Sequence, residues 1–456
     1  MAIIRRLFPY ICAVVLLALV PRIHAAANDN FVILISVDGA PAYHLRNEEL
    51  LLPNMRELIR NGVWSEGSQT VFPSMTLPSH TTLITGVSPR VHRTLGNRVK
   101  NRKTGEVINV DRLPRAESIQ TTTLFDAAKR NGISIATFRW PQTKGDPSVD
   151  FNILLGAPTE EERKEPAWVF LQQQGFPIDM YATWEKDIAL RGAKDVLLAE
   201  AAAHLIRKNP HRLTAFRVVA QDSVQHAFGT GHYMSKAAVT STDAAIGVLR
   251  KAVRDAGIED RTTFIVAADH GFTSVTHSIN IHPLVKQHGL QDRIKLYESG
   301  GWITYVELQP SFDAKRDGAA LNAFFAAAQA LEGIERVVKP EGFHGLGLPR
   351  YEEDEHILGQ YMIISDIDTH FRRDLDGSGS TARELMKEPY HGHGYLPTHP
   401  LMRPWLVLSG YGIAKGKKIG HVRNHDVAPT IANLLGFQMK DVEGRVIEEA
   451  LQAPPQ

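Results

Sequence analysis

Carboxylates and imidazoles in this chain fall where apolar runs end. Val37 is followed by Asp38 and Gly39. The run Ala215–Ala220 leads into Gln221 and Asp222, with His226 four residues later. Thr262–Ala268 runs into Asp269, His270 and Gly271, and a further His-rich loop, expected before the last strand, reads Tyr390, His391, Gly392, His393, Gly394, Tyr395. Such nitrogen and oxygen donors suit a divalent cation of the zinc type. Positions four apart face the same way on a helix, so Asp222 and His226 can meet one ion. Each piece alone is ordinary, since an aspartate after a strand most often caps a turn. Recurrence at successive run ends is what points to a metal.

A hydroxyl-rich segment supplies a candidate nucleophile. Phe72 to His80 reads F-P-S-M-T-L-P-S-H. Its prolines set the backbone ahead of a helix, whose first turn favours an anion. A free threonine hydroxyl is a poor nucleophile, and a nearby metal ion eases its deprotonation. From the local pattern alone, Thr76 and Ser79 are equally well read as helix caps.

The elements that position these groups follow from hydrophobic patterning. Phe31–Val37, Ala215–Ala220, Thr262–Ala268 and Pro404–Leu408 read as buried strands. Leu50–Asn61, Thr123–Arg130, Lys194–Arg207 and Ser241–Ala256 carry the spacing of half-buried helices. The alternation predicts an α/β fold, a mostly parallel central sheet with helices on both faces. In such sheets ligands bind beyond the carboxyl ends of the strands, which would bring the acidic run ends to one rim. Residues 143–185 read as a loop-rich cover. The catalytic core is expected at 28–295 and 386–456, with a small α+β insertion at 296–385.

Composition narrows the function classes. A net charge of +1 over 456 residues gives no global field for nucleic acid, so no nucleic-acid binding is expected. Arg5 and Arg6 precede an apolar run from Leu7 to Val20, followed by His24-Ala25-Ala26-Ala27. That is the pattern of a cleaved leader over residues 1–27, and its apolar run is shorter than the roughly 20 residues of a membrane span. The expected location is periplasmic or secreted, with no stable span after cleavage. The only cysteine, Cys12, lies inside that leader, so thiolate ligation and disulfides are excluded from the mature chain.

Taken together, these motifs resemble the alkaline phosphatase superfamily, and most closely its nucleotide pyrophosphatase/phosphodiesterase branch. The matching pieces are V-D-G at 37–39, F-P-S-M-T-L-P-S-H at 72–80, T-G-V-S-P-R-V-H at 85–92, D-S-V-Q-H at 222–226, A-D-H-G at 268–271 and H-G-Y at 393–395. They occur in that family's order. The resemblance implies an alkaline phosphatase-like fold and two Zn²⁺ per chain. One zinc would be held by Asp38, Asp269 and His270 with the Thr76 oxygen, the other by Asp222, His226 and His393. It implies Thr76 as nucleophile, a covalent threonyl-phosphate, and Asn97 as the phosphate-binding amide. A neutral amide fits the single charge of a phosphodiester, whereas monoesterases of the superfamily set an arginine against the second charge.

The resemblance thus predicts a zinc-dependent phosphodiesterase or nucleotide pyrophosphatase. Its partner would be a small phosphate ester, a nucleotide or a lipid headgroup. The alternatives are a phosphonate hydrolase or phosphomonoesterase on the same metals, and an inactive binding protein of this fold. Ser79 and Leu396 depart from the branch's usual asparagine and acidic residue. Trp140, Phe151, Trp168 and Tyr181 are candidates for a stacking wall or for core packing.

Overall fold

A computed structural model describes residues 29–372 and 378–452. The expected leader, with Cys12, lies outside the described residues. The central sheet has eight strands, in the order Lys417–Ile419, Gly62–Ser65, Leu406–Gly410, Thr262–Ala268, Phe31–Val37, Leu213–Val218, Ile135–Phe138, Phe151–Ile153. Only Leu406–Gly410 runs against its neighbours. This is the expected α/β fold, a mostly parallel central sheet.

Both faces of the sheet are covered, which explains the unbroken apolar strands. Ile33, Ile35 and Val37 enter one core, packed by the helices Pro53–Arg60, Arg191–Lys208 and Tyr233–Asp255. Val32 and Leu34 enter the other, packed by Thr76–Thr85, Leu124–Arg130 and Val427–Leu434. Thr123 closes a capping box with Asp126 at the start of Leu124–Arg130.

Register converts this sheet into a rim. Val37 pairs with Val218 on one side and with Ala268 on the other, all parallel. The residues that follow these three strands therefore leave the same edge together. Several expected boundaries shift. The strand expected at Ala215–Ala220 ends at Val218, and Ala220–Phe228 is helical, so Asp222 sits in a helical first turn. Tyr390 to Gly392, expected as loop, closes the strand Glu384–Gly392 against Thr273–Ile279. The last sheet-forming run is Leu406–Gly410 rather than Pro404–Leu408. The stretch 143–185, expected as loop-rich, contains the strand Phe151–Ile153 and the helices Pro166–Gln173 and Ile178–Trp184.

Beyond the core, Ile294–Ser299, Ile303–Leu308, Tyr361–Ser365 and Ile334–Val338 form a four-stranded antiparallel sheet. Alternate residues split its two faces. Val306 and Ile363 pack with Phe324 and Phe325 of the helix Ala314–Gln329. Ile303, Tyr305, Met362 and Ile364 pack with Phe72, Trp302 and Tyr395, next to the rim. Trp140, Phe151, Trp168 and Tyr181 are all buried in the cores. Packing, not a stacking wall, is their observed use.

Candidate metal centre and nucleophile

The rim gathers two groups of donors. Asp38, Asp269 and His270 present ligand atoms within 4.8 Å of one another, and so do Asp222, His270 and His393. His226 joins the second group, its Nε2 lying 3.4 Å from Asp222 Oδ1, and His393 Nε2 lies 3.5 Å from the same oxygen. The His270 and His393 rings stack at 3.6 Å, so the groups adjoin. Glycine is required at 39, where the backbone has φ +64° and a Cβ would stand 3.0 Å from Asp222. At Gly394 a Cβ would strike the Trp302 ring, at 2.1 Å from Cε2, and that indole lies near-parallel to His393.

Asp38 and Asp269 are each held by one oxygen and leave the other bare. Asp269 Oδ1 accepts the N–H groups of Gly39 (3.0 Å) and His270 (2.9 Å). Asp38 Oδ2 accepts from the guanidinium of Arg217. Asp38 Oδ1, Asp222 Oδ1 and Asp269 Oδ2 are buried with no hydrogen-bond partner. Buried oxygens without partners are costly unless a cation takes them.

The imidazoles are set the same way. Nδ1 of His226 contacts the His391 carbonyl at 2.7 Å, Nδ1 of His393 the Ser74 carbonyl at 2.8 Å, and Nδ1 of His270 the Gly271 carbonyl at 2.9 Å. A carbonyl only accepts, so each Nδ1 carries a proton and each Nε2 is turned to the donor cluster, where a metal ion could take its lone pair. Bare carboxylate oxygens beside bare Nε2 atoms, with no sulfur, form a donor set that fits divalent cations.

Burial and neighbouring charges shift the protonation of these groups in different directions. Burial, with the adjoining Asp269 charge, pushes Asp38 up to about 7 against the pull of Arg217. Burial also opposes ionisation of Asp222, but His226 and His393 outweigh it and hold this carboxyl below the usual range. Burial and the neighbouring His270 hold His393 well below the usual histidine value. Burial works against protonation of His226 too, yet Asp222 raises it to about 9.

Thr76 is the first residue of the helix Thr76–Thr85, and Met75 is its N-cap with no side-chain capping bond. The Thr76 hydroxyl is therefore not spent as a cap, and Oγ1 lies 3.4 Å from His270 Nε2. Ser79 turns away to Thr70, at 2.8 Å. The N–H of Leu77 donates to Asn97 Oδ1 at 2.9 Å, which ties that amide to the helix entrance and leaves its NH₂ end to donate. All eight residues expected at the site from sequence lie at this rim or at that helix entrance.

Two side chains were not anticipated. Arg217 was absorbed into an apolar run. His80 underlies Asp269, its Nδ1 contacting the Thr76 carbonyl at 2.9 Å and its Nε2 the Ser36 hydroxyl at 2.8 Å. A lone arginine within a buried strand was the available signal for the first. Of the arginines near Asn97 in sequence, Arg90 pairs with Glu443 and Arg93 with Asp354.

Known proteins resemble this chain in sequence and in fold. A profile of the family described as Type I phosphodiesterase / nucleotide pyrophosphatase matches residues 32–394. An uncharacterised pyrophosphatase/phosphodiesterase of Schizosaccharomyces pombe is 24% identical over 422 residues, covering 91% of this chain and 78% of that one. The bis(5'-adenosyl)-triphosphatase of Xenopus laevis is 22% identical over 410 residues, covering 89% and 77%. Against ectonucleotide pyrophosphatase/phosphodiesterase family member 3 of Mus musculus the match covers 53% of this chain and only 24% of that protein. Among solved structures, murine ectonucleotide pyrophosphatase/phosphodiesterase 5, an inactive threonine-to-alanine variant in complex with AMP, superposes with a TM-score of 0.68 at 15% identity. That alignment covers 93% of this chain and 100% of that one.

Proposed function

Since the chain belongs to the type I phosphodiesterase / nucleotide pyrophosphatase family of the alkaline phosphatase superfamily, a family of metal-dependent hydrolases, we propose that it is a two-zinc phosphodiesterase whose nucleophile is Thr76. The observation that carries this is the uncapped Thr76 hydroxyl, 3.4 Å from the free nitrogen of His270, at the join of the two donor groups. Asp38, Asp269 and His270 with Thr76 would hold one ion, and Asp222, His226 and His393 the other. Bound there, zinc would supply Lewis acidity that eases loss of the Thr76 proton and of the leaving oxygen.

The chain's own groups do the rest. Thr76 Oγ1 attacks phosphorus, the bond from phosphorus to the leaving oxygen breaks, and an alcohol departs. A threonyl-phosphate ester remains. Water then attacks that phosphorus, the bond to Oγ1 breaks, and Thr76 recovers its proton. The Asn97 NH₂ and the positive end of the Thr76–Thr85 helix steady the non-bridging oxygens as charge shifts.

A neutral amide suits a monoanionic diester. Arg217 donates to Asp38, and Arg90 and Arg93 pair with Glu443 and Asp354, which commits these three to carboxylates of the chain. AMP in the murine relative and the dinucleoside triphosphatase name of the frog relative support a nucleotide substrate. The test is a panel of bis-p-nitrophenyl phosphate, a nucleotide diester, p-nitrophenyl phosphate and phosphonoacetate, with and without chelator. Faster, chelator-sensitive diester hydrolysis is expected. A monoester or phosphonate turned over faster than either diester would reject the assignment in favour of those chemistries.

A further inference from the structure

Arg217 is the only charged residue of Leu213–Val218, a strand buried along its whole length. It lies two residues beyond Ala215, on the same face of the pleat, and stands in register with Ser36. That face otherwise buries Leu213 and Ala215 in the apolar core. A guanidinium placed there loses its hydration, and two of its nitrogens, Nε and Nη1, find no partner. A core ion pair alone is a poor return for that loss, because apolar residues of similar size usually serve stability as well or better. The one bond that Arg217 does make is specific. Nη2 donates to Asp38 Oδ2, the oxygen turned from the donor cluster, while Oδ1 lies bare at 3.5 Å from His270 Nε2.

We propose that Arg217 is a positioning residue for the metal centre. It grips Asp38 by one oxygen and so aims the other at the place shared with Asp269, His270 and Thr76. Asp269 is aimed by the backbone N–H groups of Gly39 and His270. Among the described residues, the Asp38 side chain has only the arginine bond for this task. The role rests on the two-metal function proposed above. It predicts that the arginine acts on one ion site and spares the other.

The test compares full-length wild type with Arg217→Met and Arg217→Lys. Zinc affinities are measured by competition with a chromogenic chelator, and kcat and KM with bis-p-nitrophenyl phosphate. Arg217→Met is expected to weaken one of two zinc sites by about tenfold or more, to lower kcat and to leave KM unchanged. Arg217→Lys keeps the charge but not the fork, so it should fold and weaken the same site by a smaller factor. A purely structural arginine would lower the melting temperature and leave the zinc affinities alone. If either folded variant keeps both wild-type affinities and the wild-type kcat, the positioning role is overturned. Failure of the two-metal function looks different, because wild type itself would then bind no zinc.

Discussion

Asp38, Asp269 and His270 are sealed, with side chains 3%, 0% and 0% exposed, whereas Asp222 and His226 are 17% and 37% exposed. The sealed group is held from the interior by Arg217, by Gly39 N–H and by the buried His80 beneath Asp269. The open group depends on chain that arrives from far away. His226 leans on the carbonyl of His391, and His393 on that of Ser74. The difference assigns different work to the two halves. A sealed, cross-braced group suits holding a nucleophile still, and Thr76 stands beside it. An open group suits a leaving oxygen and a water that must exchange with solvent.

The sharpest way to break this division is Thr76→Ala. Turnover should fall by about four orders of magnitude or more, while zinc content per chain stays at the wild-type value, since carboxylates and imidazoles carry the ligation. Normal activity in that variant would remove the nucleophile from the sealed half. A smaller effect separates the two groups. Asp269→Asn should abolish one zinc site, and His226→Asn should weaken the other by roughly 10–100-fold, both read by zinc titration. Loss of both ions in either variant would merge the halves into one unit.

Exchange kinetics sharpen the contrast further. Chelator should strip the zinc in two phases, with the faster phase belonging to the open group. His226→Asn should accelerate that phase and leave the slow one unchanged. A single phase in wild type would contradict the comparison.

The smallest effect concerns the scaffold that both halves share. Burial, with His425 nearby, pushes His92 down to about 3 from an ordinary 6.5. In the folded protein it is neutral, bonded to Thr82 Oγ1 at 3.1 Å. Between pH 6.5 and 3 the unfolded chain takes up a proton at this position that the folded chain refuses. Stability then falls with acid, by at most about 1.4 kcal/mol per pH unit from this group, and is recovered above pH 6.5. His92→Gln should flatten that slope in thermal melts taken between pH 6.5 and 4. An unchanged slope would place the acid sensitivity elsewhere.

The legible parts of this molecule share a cause. Asp38, Asp222 and Asp269 stand out because titratable groups at the ends of apolar runs are conspicuous against their surroundings, and His393 because its stretch is rich in histidine. Helical spacing likewise exposed most of Arg191–Lys208 and Tyr233–Asp255. Arg217 was hidden for the opposite reason. One charge inside six buried positions does not disturb a run of β-forming residues, and only the pleat shows which neighbour it faces. The reversed direction of Leu406–Gly410 was also out of reach, since strand polarity depends on the path of the connection and not on the strand's own residues. Tyr390 to Gly392 looked like loop because glycine and histidine are weak strand formers. Pairing with Thr273 to Val275 overrides that preference. The segment 143–185 misled for the same reason in reverse, because its prolines sit where helices begin, as Pro166 does.

Two divalent ions are proposed to sit at this rim, one in each donor group about His270. Anomalous diffraction at the zinc edge from crystals of the full chain tests this directly. The account predicts two peaks, one among Asp38, Asp269, His270 and Thr76, the other among Asp222, His226 and His393. No peak in zinc-replete crystals, or peaks bound only by other residues, would contradict it.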